Sequence, residues 1–122
     1  MPRFLISAFS AAALTALAAG LAACGPPLPP SKPLSQLAPV ERQGYLVFQK
    51  YCARCHSANT EQSLHGPGLQ GLYKKHFLPS GAPANDDRVA DAILNGRALM
   101  PSFRNDLDDD QLQALLAYLH TL

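Results

Sequence analysis

The pentapeptide Cys52-Ala53-Arg54-Cys55-His56 constrains this chain more than any other stretch. Two thiols three positions apart, with an imidazole directly after the second, suit few arrangements. A thioredoxin-type dithiol expects a βαβ surrounding, and no segment here alternates apolar and polar residues in the manner of a strand. A structural zinc site needs four ligands. Cys52, Cys55 and His56 supply three at most, the adjacent Cys55 and His56 would crowd one tetrahedron, and there is no second cysteine pair. A disulfide between the two would close a loop of two residues and staple little. The reading that remains is covalent haem, because C-x-x-C-H is the attachment signal for haem c. Each thiol bonds one vinyl group, and the histidine is thereby placed under the iron as an axial ligand.

The rest of the chain agrees with a bound prosthetic group. Its 122 residues suffice for one small domain. Tryptophan is absent, and beyond the first 38 residues only Phe48, Phe77 and Phe103 are phenylalanines. A small domain with so thin a core normally needs a staple, such as disulfides, a metal or a cofactor. The Gly- and Pro-rich stretch His65 to Ala84 is long for a connection in a compact domain. A large apolar cofactor explains both features.

The chain carries three helical patterns. In the first, Pro39 suits an opening turn because its missing N–H would be unpaired there, and Val40, Gly44, Val47, Phe48 and Tyr51 fall on one face. Gly44 costs helix stability at that position, so close approach of another backbone is expected. In the second, Asn85 caps, Asp86 and Asp87 favour the positive end of the helix dipole, and Gly96 stops the helix. In the third, Asp108 and Gln111 form a capping-box-like start, and Leu112, Leu115, Leu116 and Leu119 line one face with Tyr118 beside it. The expected class is all-α, with three to five short helices wrapped around one covalently attached haem c.

The N-terminus reads as an export signal. Arg3 precedes an uncharged apolar run of 20 residues, Phe4 to Ala23, which is diluted by Ser7, Ser10, Thr15 and Gly20. That is the layout of a secretory leader. It closes on Leu21-Ala22-Ala23-Cys24, which resembles the lipobox of bacterial lipoproteins. There the peptide is cut before the cysteine and the thiol takes a lipid. An uncleaved membrane helix is the competing account, since 20 apolar residues can span a bilayer. The cysteine accounting then closes, with Cys24 lipidated and Cys52 and Cys55 on haem. Residues 1–23 are read as signal peptide, 24–38 as lipidated Cys24 plus a Pro-rich linker, and 39–122 as the folded domain. Gly25 to Pro39 holds six of the eleven prolines, which predicts an extended spacer reaching roughly 40 Å at about 3.1 Å per residue. Losing Arg3 leaves nine basic against nine acidic side chains, so nucleic acid is not an expected partner. Gly25 stands where many inner-membrane lipoproteins carry aspartate, which weakly favours the outer membrane. The expected location is the periplasmic side, lipid-anchored.

From Gly44 to Leu122 the chain resembles a class I cytochrome c. Gly44 and Phe48 stand at the family's offsets before the first haem cysteine. "GPGL" (Gly66 to Leu69) stands where the family has Gly-Pro-x-Leu. "LMPSF" supplies Met100-Pro101, and "LLAYLHTL" supplies the closing helix with its aromatic, Tyr118. The resemblance implies that the Pro67 carbonyl accepts a hydrogen bond from His56, the proximal ligand, and that Met100 is the sixth ligand of the iron. It implies that Gly44, Phe48, Leu115 and Tyr118 pack the first helix across the last. Met100 is the only methionine after Met1, and thioether ligation raises the reduction potential. His65 and His76 are weaker rivals: His65 falls in the loop expected on the proximal side, while His76, beside Lys74 and Lys75, is expected at the surface, as is His120. Tyr73 and Arg97 are either partners for a haem propionate or plain surface groups. The implied function is electron transfer between redox partner proteins, without enzymatic activity. A haem c electron-entry subunit of a larger dehydrogenase or oxidase complex is the alternative, and a peroxidase-like or gas-binding haem protein is a third reading.

Overall fold

In a computed structural model the described residues are 28–122, so the leader and Cys24 lie outside them. Three helices carry the fold: α1 (Pro39–Tyr51), α2 (Asp86–Asn95) and α3 (Asp109–Leu119). Short 3-10 turns at Leu34–Gln36 and Leu72–Lys74 complete the regular structure. Among the described residues there are no strands, only the isolated bridges Phe77↔Pro83 and Arg97↔Met100. None of these helices is long and apolar enough to cross a membrane.

Each helix begins where local chemistry satisfies its free N–H groups. Pro39 opens α1 behind the extended Ala38, whose N–H donates to Glu41 Oε2 at 2.7 Å. Asn85 Oδ1 accepts from the Arg88 N–H at 3.0 Å and caps α2. A full capping box starts α3: Gln111 N–H donates to Asp108 Oδ1 at 2.7 Å, and Asp108 N–H to Gln111 Oε1 at 3.1 Å. Gly96 ends α2 with φ +72°, but its ψ of 168° sends the chain outward rather than into a left-handed cap.

The core lies where α1 crosses α3. Phe48 is 1% exposed and Leu115 0%, the two largest side chains so completely enclosed among the described residues. The Phe48 and Tyr118 rings lie 5.5 Å apart, and Tyr45 meets Tyr118 edge-on at 5.6 Å. A Cβ on Gly44 would run into the Ala114 carbonyl and Tyr118 Cβ. The glycine is therefore what lets the two backbones touch, and this contact offsets its helix cost of about 1 kcal/mol. The apolar face of α1 is narrower than its spacing predicts: Gly44 and Phe48 are buried, while Val40 is exposed.

The expectation of an extended spacer up to residue 38 is corrected from Leu28 onward. Lys32 N–H donates to the Thr121 carbonyl at 2.8 Å, Gln70 Nε2 to the Pro29 carbonyl at 3.3 Å, and Arg42 to the Leu34 carbonyl at 3.3 Å. Leu37 is 7% exposed and belongs to the core. Proline favours extended backbone, but extended backbone with apolar side chains can be laid along a surface as readily as held in water.

Lys32 Nζ also pairs with Glu41 Oε2 at 2.7 Å. That hydrogen bond, with the Ala38 N–H next in weight, holds the Glu41 carboxyl below its ordinary value of 4.5. A carboxyl with a lowered folded value contributes stability above its unfolded value, and loses it as pH falls through the folded one. The attachment at Lys32 is thus expected to hold above pH 4.5 on the carboxylate side and to loosen as pH falls below it. The amide and Nζ resonances of Lys32, followed by NMR through an acid titration, check this.

Candidate functional site

The Cys-His segment is positioned by the end of α1. Cys52 N–H donates to the Phe48 carbonyl at 2.8 Å as the helix closes. Cys55 and His56 N–H groups then both donate to the Cys52 carbonyl at 3.0 Å, turning the chain tightly through the pentapeptide. Both cysteines are unpaired and half-buried. Burial foremost, with Cys55 beside it, pushes the Cys52 thiol up to about 11. Burial thus opposes, at Cys52, the thiolate that a dithiol nucleophile would use. No group of three or more His, Cys, Asp or Glu side chains among the described residues could hold a metal ion.

The imidazole of His56 is fixed by the loop at residues 66–69. Nδ1 donates to the Pro67 carbonyl at 2.8 Å. The loop is itself tied back, through Gly66 N–H to the Cys55 carbonyl and Leu69 N–H to the Ser57 carbonyl, each at 2.8 Å. A Cβ on Gly66 would fall within 2.9 Å of three His56 ring atoms, so glycine lets the ring lie against the loop backbone. With Nδ1 engaged as a donor, Nε2 is left with its lone pair free, the state a metal-ligating histidine requires.

Met100 sits at the end of a two-residue hairpin. Met100 N–H donates to the Arg97 carbonyl at 2.7 Å, and Arg97 N–H to the Met100 carbonyl at 3.1 Å. Ala98, at φ +49°, takes the position where such a turn usually has glycine, at a cost of about 1–2 kcal/mol. Contacts to the C-terminal turn of α2 hold residues 102–104 in place. Phe103 N–H donates to the Ile93 carbonyl at 3.1 Å, Ser102 Oγ to the Leu94 carbonyl at 2.5 Å, and Arg104 to Asn95 Oδ1 at 2.5 Å. The Met100 side chain is half-buried against the core. Tyr51, the residue before Cys52, meets Phe103 edge-on at 5.9 Å and donates to the Asp106 carbonyl at 3.2 Å. Through Tyr51 the Cys-His turn and the methionine loop are packed as neighbours.

These residues fit a covalently held haem. Two unpaired thiols stand on a turn, an imidazole has Nε2 free, and a half-buried thioether sits on a braced loop. The loops carrying them also expose apolar side chains, Leu64 and Phe77 around the histidine loop and Leu99 next to Met100. A planar apolar group is a suitable neighbour for such side chains.

The remaining candidate side chains fall elsewhere. His65 and His76 are exposed. His120 is exposed yet engaged: it stacks on Tyr73 with ring centroids 3.7 Å apart, and its Nε2 lies 2.8 Å from Asp86 Oδ1. The Tyr73 hydroxyl is buried beside Asp86, and burial foremost, then Asp86, raises its pKa far above the ordinary phenol value. Arg97 lies 3.8 Å from Asp91. Sequence reasoning missed the bracing by Asn95, Ser102 and Arg104, because scattered polar side chains around a Met-Pro pair give no periodic signal.

Over residues 39–119 the chain matches the family model described as cytochrome c oxidase, cbb3-type, subunit III. It is similar to cytochrome c6 of Leptolyngbya boryana, 32% identical over 76 residues, which cover 62% of this chain and 85% of the relative. Cytochrome c6 of Tetradesmus obliquus is 29% identical over 77 residues, covering 63% of this chain and 84% of the relative. The cbb3-type cytochrome c oxidase subunit CcoP of Azospirillum brasilense is 33% identical over 84 residues, covering 66% of this chain and only 28% of that longer protein.

Proposed function

The chain belongs to the class I, mono-haem cytochrome c family, and from that premise we propose that it is a membrane-tethered electron carrier on the periplasmic side, with His56 and Met100 as the two axial ligands of its haem c. The group itself supplies one-electron exchange between ferric and ferrous iron. Cys52 and Cys55 anchor it through thioether bonds. His56 presents Nε2, and the Pro67 carbonyl holds the ring and raises its basicity by accepting from Nδ1. Met100 presents a thioether from a braced loop, a ligand that raises the reduction potential. With both axial positions taken by side chains, no site remains for a substrate. This is the reason to read a carrier rather than an enzyme.

The observation that carries the reading is the Nδ1–Pro67 bond at 2.8 Å, because it sets the tautomer of the ring attached to the haem-binding turn. The test is the spectrum of the protein matured in a host competent for c-type cytochromes. The alkaline pyridine spectrum of the wild type is expected to be that of a haem with both vinyls saturated. A Cys52→Ala variant is expected to shift toward a single thioether. A wild-type spectrum with a free vinyl contradicts the reading.

The likeness to a cbb3-type oxidase subunit favours a second reading, a fixed electron-entry subunit of a larger complex. Gentle solubilisation of native membranes separates the two. A carrier elutes alone, whereas a subunit elutes with oxidase or dehydrogenase chains.

The tether rests on the Leu-Ala-Ala-Cys24 motif. Cys24→Ala is expected to release the protein or leave it at the wrong membrane, with haem content unchanged. Haem-stained membrane and soluble fractions check this. A variant as firmly membrane-bound as wild type favours the uncleaved helix instead.

A further inference from the structure

The segment expected to space the domain from the membrane is instead fastened to it. Leu28 packs on the turn at Gly71, where an added Cβ would come within 2.7 Å of a Leu28 methyl group. The next attachments come at Pro29, Lys32 and Leu34. From Cys24 to Leu28 the chain advances four residues, which at full extension reach at most about 14 Å. A free spacer running to residue 38 would reach roughly 40 Å. The fastening therefore removes most of the reach on which a mobile tethered carrier depends.

We propose that the domain is held directly on the lipid headgroups, with the start of the strap (Leu28) and the turn at residues 70–75 as its membrane-facing side. The proposal rests on lipidation of Cys24. The occupant of this surface is a lipid bilayer, because the short chain leading away from Leu28 would end in a lipid. Charge plays a minor part. Lys32 pairs with Glu41 and Lys75 with Glu61, and Lys74 Nζ donates to the Leu122 carbonyl at 2.8 Å. Tether length therefore enforces the contact, and added salt is not expected to undo it. Lys50 provides an internal reference: it lies nine residues beyond Glu41, about 13 Å further along α1.

The test uses the full-length, lipidated, haem-bearing protein on a phosphatidylcholine bilayer with a minor phosphatidylglycerol fraction. A second protein carries about a dozen Gly/Ser residues inserted between Pro27 and Leu28, which leaves the fold untouched and adds roughly 19 Å of flexible reach. Neutron reflectometry is expected to show wild type with no hydrated gap wider than about 14 Å, and a wider gap for the insertion protein. Amine labelling, compared between bilayer and detergent, is expected to fall several-fold at Lys32, Lys74 and Lys75 of wild type and not at Lys50. All four lysines should label freely in the insertion protein. A lipidated wild type that shows the insertion protein's gap, or equal labelling at all four lysines, overturns the proposal and leaves the tether intact. A mature chain without lipid on Cys24 overturns both, and the mass of its N-terminal peptide shows this before any bilayer is made.

Discussion

Phe48→Ala is expected to destabilise the domain by about 3–5 kcal/mol, the usual cost of truncating a buried aromatic. The side chain is 1% exposed and lies against Tyr118 at the crossing of α1 and α3. Nothing in its surroundings can collapse freely into the gap, because the crossing is fixed on one side by the Gly44–Ala114 backbone contact. Since a domain of this kind is stable by only about 5–15 kcal/mol, the loss is a large share of the total. Tyr118→Ala should fall in the same range. Gly44→Ala tests the crossing from the opposite direction, by adding a methyl where there is no room. Overpacking of this sort costs about 1–3 kcal/mol or more. Haem is bonded covalently, so in all three variants the visible absorbance should persist while the far-ultraviolet dichroism melts earlier. Melting curves that coincide with wild type would contradict this account of the core.

Much of this core was legible in the sequence because it depends on spacing. Gly44 and Phe48 share one helix face, Leu115 and Tyr118 another, and Asp108 with Gln111 marks a helix start that the structure places where the pattern puts it. The Cys-His turn was legible for a chemical reason, since few groups need two thiols and an imidazole at that spacing. Two parts were not legible. The docking of residues 28–37 is decided by groups far away in sequence, the Gln70 side chain and the Thr121 carbonyl among them, whereas proline content reports only that the backbone is extended. The bracing around Met100 likewise comes from Leu94 and Asn95, which the helical pattern assigns only to the end of α2.

Met100→Ala is expected to have the largest functional effect, and it separates a carrier from a ligand-binding haem protein. The substitution removes the only thioether after Met1 while sparing the loop. The hairpin bonds between residues 97 and 100 are backbone to backbone, and Ser102, Phe103 and Arg104 stay fastened to α2. Any change therefore reports the lost sulfur rather than a displaced segment. Oxidised wild type is expected to show the weak sulfur-to-iron charge-transfer band near the red edge of the visible spectrum, and the variant to lack it. The reduction potential should fall by a substantial part of the roughly 0.8 V over which axial ligands tune haem. Carbon monoxide and cyanide should bind faster, and modest peroxidase activity should become measurable where wild type has little. Exposed His76 is a better candidate to capture the freed position than Lys74, whose amine is already engaged by the Leu122 carbonyl at 2.8 Å. The opposite pattern would be decisive. If wild type binds carbon monoxide readily at neutral pH, and if the substitution changes neither spectrum nor potential, then Met100 is not the ligand. The braced loop would in that case serve a haem whose sixth position is open to small molecules.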